Sequence, residues 1–215
     1  CLSIYSTTNT YKDPKNGIIV IDPGHGGIDG GANINGILEK DINLTVSYTL
    51  KLLLEKNGYK VITTRDKDIS LDGFNKSSKS RHKRDLNERL NIINNNNAQL
   101  FISIHVNCYL KNPKANGAIV FYNNKFEENK KLAICIQQSL NNLIINDKKR
   151  MVHDPQKGSY FLLKQSDIPG VIVEIAFLSN PEERQALTKD EFREQTSKAI
   201  AEGLELYLND DEKSM

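Results

Sequence analysis

The chain has 215 residues, enough to bury the core of one domain. Its net charge of +2, with 26% of residues charged, gives no electrostatic case for nucleic acid as a partner. No run approaches the roughly 18 apolar residues of a membrane span, and Cys1, Cys108 and Cys135 are too few and too scattered for a disulfide framework or a Cys-x-x-Cys zinc knuckle.

Residues 1–16 are polar and read as an extended leader. The first residue is Cys1 rather than Met, and the alternatives for what preceded it are a signal peptide, an N-terminal membrane anchor or a plain truncation. Ile18-Ile19-Val20-Ile21 then reads as a buried strand that stops at Asp22-Pro23. The loop behind it carries Gly24, Gly26, Gly27, Gly30 and Gly31 around His25. Glycine lets backbone close in on a small ligand, so His25 is placed like a metal ligand or a base, with a solvated turn histidine as the alternative. The glycines spell neither Gly-x-Gly-x-x-Gly nor Gly-Lys-Ser/Thr, which excludes the usual phosphate cradles.

Glu39 to Lys56 is predicted as a helix with Leu44, Tyr48 and Leu52, joined by Leu50, Leu53 and Leu54, on its apolar face, ending at Asn57-Gly58. Tyr59 to Arg65 reads as a second strand. A β-loop-α-β unit of this kind implies a parallel sheet covered by helices. Residues 66–83 read as a long solvated loop, or as a basic lip built from Lys76, Lys79, Arg81, His82 and Lys83 that attracts an anionic polymer.

A helix is expected from Asp85 to the Asn94–Asn97 run, and Leu100 to His105 is a third strand. It too delivers a histidine to its C-terminal end, and ligands of open α/β sheets gather there. His25 and His105 are therefore expected to face one crevice. Gly117 to Tyr122 reads as a strand and residues 127–146 as a helix whose end is charged by Lys148, Lys149 and Arg150. His153 is expected at the surface. Tyr160 to Lys164 reads as a short strand, and Ile168 to Phe177 as the last buried one. Glu174 within that aliphatic run is either functional or a surface residue of an edge strand, since an unpaired buried carboxylate is costly. A helical region from Asn180 to Leu208 and a charged, frayed tail of residues 209–215 complete the chain. The organisation is one domain over residues 17–208.

Two histidines and one or two glutamates are thus expected to converge on a glycine-walled crevice. Catalytic zinc often takes three protein ligands and leaves a place for water. His25, Glu39 and His105 suit that set, and Glu174 suits the general base and acid of an amide hydrolase. No His-Glu-x-x-His helix is present.

Asp22-Pro-Gly-His-Gly-Gly with Asp29-x-Gly, Glu39-Lys-Asp-x-Asn-Leu, Thr64-Arg65, Arg89, Ser103-Ile-His-Val-Asn107, Pro169-x-Val-Ile-Val-Glu174 and Phe177-Leu-Ser-Asn180 together resemble the zinc-dependent N-acetylmuramoyl-L-alanine amidases of the amidase 3 type. The resemblance spans about residues 17 to 208. It implies an α/β fold with a twisted, mixed, mostly parallel sheet of about six strands and helices on both faces. It implies Zn2+ held by His25, Glu39 and His105, with Glu174 as the catalytic group. The implied reaction cleaves the amide between N-acetylmuramic acid and L-alanine in peptidoglycan. Ile175-Ala176-Phe177 follows Glu174 where the family usually carries Gly-Phe. The absence of wall-binding repeats and the basic stretch before Arg89 resemble the germination-specific branch, which prepares spore cortex for muramic-δ-lactam formation during sporulation. That branch implies extracytoplasmic action at the spore envelope or cell wall. Residues 66–83 are a candidate dock for glycan or for an activator or partner protein. The rival functions are a zinc peptidase cutting within the stem peptide and a non-catalytic wall-binding module.

Overall fold

Alternating residues of the apolar strands point to opposite faces of one sheet, and each face is covered by its own helices. The computed structural model describes residues 17–212. The expected leader of residues 1–16 and the last three residues of the expected tail lie outside the described residues. Strand β1 (Ile18–Pro23) is flanked by β2 (Lys60–Thr63) and β3 (Leu100–Asn107), both parallel to it. β4 (Ile119–Tyr122), the short β5 (Gln156–Lys157) and β6 (Gly170–Phe177) complete the sheet in the order β2-β1-β3-β6-β4-β5. Only the β6–β4 pair is antiparallel. The expected mixed, mostly parallel six-stranded sheet is therefore found.

Helices α1 (Glu39–Lys56), α3 (Glu127–Asn141) and α6 (Asp190–Glu212) share the larger core with Ile19, Ile21, Ile102, Ile104, Val171 and Val173. α2 (Arg81–Asn94) and α4 (Phe161–Gln165) cover the other face through Ile93, Leu162 and Leu163 against Val20, Phe101 and Ile172. α5 (Pro181–Leu187) follows β6 directly, capped by Asn180. From β1 the chain moves outward to β2 and then back across to β3, so the order reverses beside the C-terminal ends of β1 and β3. Crevices form at such reversals.

Several sequence expectations are corrected. The buried stripe of α1 is Ile42, Val46, Leu50 and Leu54, while Tyr48 and Leu52 are exposed. α2 starts at Arg81, four residues before the expected Asp85, because the Ser80 side chain accepts from the Lys83 amide. α3 stops at Asn141. Ile144–Ile145 and Lys148–Lys149 instead form a hairpin turned by Asn146 and Asp147, both at positive φ. Lys148 and Lys149 therefore do not charge a helix end. Tyr160–Lys164 is not a strand: Phe161–Gln165 is a helical turn that buries Leu162 and Leu163. The region after Asn180 breaks at Thr188 into two helices, and α6 continues to Glu212, past the expected end at Leu208. No helix among the described residues is long and apolar enough to cross a membrane.

Candidate active site

Strand alternation puts Asp22, Ser103, His105 and Glu174 on one face of the sheet, the face of Val20, Phe101 and Ile172. β3 and β6 pair so that Glu174 lies beside His105 in register. Both side chains arrive at the strand ends where the order reverses. His25 follows β1 and takes a left-handed backbone, φ 61°, which a non-glycine residue holds only when its surroundings enforce it. Two arginines do so. Arg89 donates to the carbonyls of Pro23 (2.8 Å) and His25 (2.6 Å). Arg65 donates to those of Pro23 and Gly24, both at 3.0 Å. Arg89 is in turn held by Asp22 and Asp85, each at 2.7 Å. Asp22 also accepts from Thr64 and Ser103, each at 2.6 Å.

The glycines give access. A Cβ on Gly24 would lie 2.2 Å from the His105 ring, and one on Gly31 would lie 2.6 Å from Glu39 Oε2 and 2.7 Å from the His25 ring. No side chain fits at either place.

Glu39 opens α1 and is the hub. Its Oε1 lies 3.2 Å from His25 Nε2 and 2.9 Å from His105 Nδ1, and accepts from the Val106 amide at 3.1 Å. Oε2 accepts from the Ala32 amide at 2.9 Å. Asn43, one turn later, donates to Glu39 Oε1 and to the Gly24 carbonyl, tying helix to loop. On its other side His25 Nδ1 meets Asp29 at 3.0 Å, which orients the ring. The donor atoms of His25, Glu39 and His105 all lie within 4.8 Å of one another. Two imidazoles and a carboxylate in such a cluster can hold a divalent cation such as zinc.

The charges fit the same use. Burial disfavours a charged His25, but the hydrogen bond and charge of Glu39, with Asp29 adding to them, hold it up at about 9. Burial likewise opposes the Glu39 carboxylate, yet the two histidines keep it far below the usual carboxylate range. A cation bound by these donors would have to displace a proton. Glu174 differs: its Oε2 is sealed from solvent and has no hydrogen-bond partner. Burial, reinforced by the charge of Glu39, pushes it up to about 7 against the pull of His105 and His25.

All four sequence-predicted residues thus meet, while exposed His82 lies in α2 and His153 bonds the Asn116 carbonyl at 2.8 Å. Asp29 and Asp22, both within the first of the motifs quoted above, serve as supports. The Asn107 backbone carbonyl accepts from the Leu178 amide at 2.7 Å. Asn43 and Asp85, and the carbonyl-gripping work of Arg65 and Arg89, were not read from sequence. Residues 66–83 are not a free solvated loop. They hold a 3-10 turn, Asp72–Phe74, and bury Leu71, whose amide donates to Asp85 at 2.8 Å. Asp68 binds the Gly27 amide and Lys40, both at 2.7 Å, which stitches this segment to the glycine loop.

Residues 19–206 match a family model described as N-acetylmuramoyl-L-alanine amidase. The germination-specific N-acetylmuramoyl-L-alanine amidase of Bacillus subtilis is 36% identical over 213 residues, which cover 96% of this chain and 87% of that relative. The solved structure of the CwlD amidase from Clostridioides difficile, in complex with the GerS lipoprotein, is similar with a TM-score of 0.82 and 37% identity. That match covers 91% of this chain and 100% of that one. The amidase AmiC2 of Nostoc punctiforme is similar at a TM-score of 0.75 and 30% identity, covering 90% of this chain and 98% of that one.

Proposed function

This chain belongs to the N-acetylmuramoyl-L-alanine amidase family, and from that premise we propose that it hydrolyses the amide between N-acetylmuramic acid and L-alanine in the peptidoglycan of the spore cortex. The single observation that carries the reading is the pairing of a preassembled His25–Glu39–His105 donor set with Glu174, a carboxylate whose Oε2 has no protein partner.

His25, Glu39 and His105 would hold Zn2+. When bound, zinc acidifies water and polarises a carbonyl. Everything else falls to the chain. Asp29 fixes the His25 ring, and the Val106 and Ala32 amides fix the Glu39 carboxylate, so the donors need little reorganisation. The Glu174 carboxylate takes the proton of the attacking water and returns it to the nitrogen of the departing L-alanine. A carboxyl near 7 can do both at neutral pH.

The germination-specific relative and the complex of CwlD with a lipoprotein support two finer proposals. The enzyme acts outside the cytoplasm during sporulation or germination, and it works with a partner protein there. Digestion of purified peptidoglycan followed by mass spectrometry, with and without added zinc, tests the activity. Stem peptides with a free L-alanine amine are expected, and only when zinc is present. A new amine at any other residue would make the enzyme a stem peptidase, and intact stems would leave a wall-binding module.

A further inference from the structure

β6 departs from regular pairing immediately after Glu174. Glu174 lies beside His105 and Phe177 beside Asn107, so three steps on β6 face two on β3. One extra residue is accommodated within Ile175-Ala176-Phe177, which is a β-bulge. A bulge takes backbone groups out of the ladder and re-aims neighbouring side chains, and buried backbone groups need partners.

Two side chains from elsewhere supply them. Glu183, on α5, accepts from the Phe177 amide through Oε2 at 2.6 Å. Arg150, just after the hairpin, donates through Nη2 to the Ile175 carbonyl at 2.7 Å. The two are joined to each other, Arg150 Nε to Glu183 Oε1 at 2.8 Å, and the same oxygen accepts from the Gly117 amide at 2.8 Å. Arg150 is 6% exposed and Glu183 2%, and the guanidinium lies over the Phe192 ring, 5.4 Å from its centre. The pair therefore grips the bulge on both sides and ties it to the approach to β4, the other neighbour of β6. Neither residue contacts His25, Glu39 or His105.

We infer that Arg150 and Glu183 are positioning residues for Glu174: a buried ion pair that fixes the bulge and so the direction in which that carboxylate enters the crevice. The inference rests on the role given to Glu174 above. Its chemistry is specific. Lysine keeps the charge of Arg150 but cannot grip Glu183 and the Ile175 carbonyl through a planar fork. Glutamine at Glu183 turns an NH2 toward groups that only donate.

The experiment uses Arg150→Lys and Glu183→Gln, each made alone and in a Glu174→Gln background, in the full-length zinc-loaded protein. A displacement of about 1 Å costs up to roughly 10²-fold in rate. In the parent background kcat is therefore expected to fall between about 10- and 100-fold, with KM and zinc stoichiometry unchanged. In the Glu174→Gln background the same substitutions should cost nothing further, because effects transmitted through one residue are not additive. A wild-type kcat in both clamp variants would overturn the inference, as would an equal fractional loss in both backgrounds. If Glu174→Gln alone turned over like wild type, the role of Glu174 would fall first, and the positioning role with it.

Discussion

The two walls of the crevice are built on opposite terms. On one wall His25 and Glu39 are tied several times over, to Asp29, Asn43, the Ala32 and Val106 amides and each other, and His105 is tied to Glu39. On the other, Glu174 brings a carboxylate oxygen that no protein group satisfies. A buried acceptor without a partner costs stability, and a bulge clamped by a buried ion pair holds it in place. The first wall is fixed in advance to bind something constant. The second keeps one acceptor without a protein partner.

Substitutions at the two walls should therefore separate cleanly. The largest effect belongs to the bound wall. His25→Ala and His105→Ala are each expected to lose zinc and amidase activity together, measured by metal analysis beside peptide release. Stoichiometric zinc in either variant would remove that histidine from the donor set. Glu174→Gln should instead keep zinc while kcat falls by about 10²- to 10⁴-fold, the usual worth of a general acid–base group. Loss of zinc along with turnover would merge the two walls into one.

A smaller effect tests what lies beneath the bound wall. Asp22 is fully buried. Burial alone would raise its pKa, but Arg89, Ser103 and Thr64 bring it from 3.8 to about 2. Its folded value is below its unfolded one, so it contributes stability above pH 4 that disappears as pH falls from about 4 through 2. One pKa unit corresponds to about 1.4 kcal/mol, so the contribution is roughly 2 kcal/mol. Denaturant titrations across that range should show this loss in the parent and lack it in Asp22→Asn. An identical slope in both would mean that Asp22 does not carry the pH dependence.

Legibility in the sequence divides along similar lines. The central strands announced themselves, because long aliphatic runs closed by Asp-Pro or by histidine have few other readings. The four crevice residues followed, since strand ends of a parallel sheet gather ligands. The α1 face misled for a physical reason. Leu50 and Leu54 do belong to the buried stripe, but it runs on through Ile42 and Val46, whose neighbours Asn43 and Ser47 are polar and yet buried, so the polar pattern points the face the wrong way. Asn43 is inside because Glu39 and the Gly24 carbonyl need its amide, a demand set by another element. Tyr160–Lys164 was a short apolar run, which cannot be told from a helical turn by periodicity. Asn146-Asp147 was a readable turn signal, whereas Arg150 and Glu183 gave none. Their meaning depends on a bulge whose extra residue emerges only when β6 is laid against β3.

The weakest expected effect concerns the rim. Residues 66–83 were read as a free loop or a basic lip, and the structure divides those roles between side chains. Arg84 grips the carbonyls of Asp72, Ser78 and Lys79 and the Asp72 carboxylate, so its charge is spent on holding the backbone. Lys76, Lys79 and Lys83 are exposed and have no such task. Replacing these three with serine should leave folding and kcat unaltered. KM for peptidoglycan should rise a few-fold near 0.05 M salt and converge on wild type toward 1 M, where the screening length shrinks to about 3 Å. Substituting Arg84 would instead loosen the segment that Asp68 stitches to the glycine loop, and its cost should persist at every salt concentration. If the lysine variant behaved the same way, the rim would be scaffold throughout, and attraction of the anionic polymer would have to come from the crevice itself.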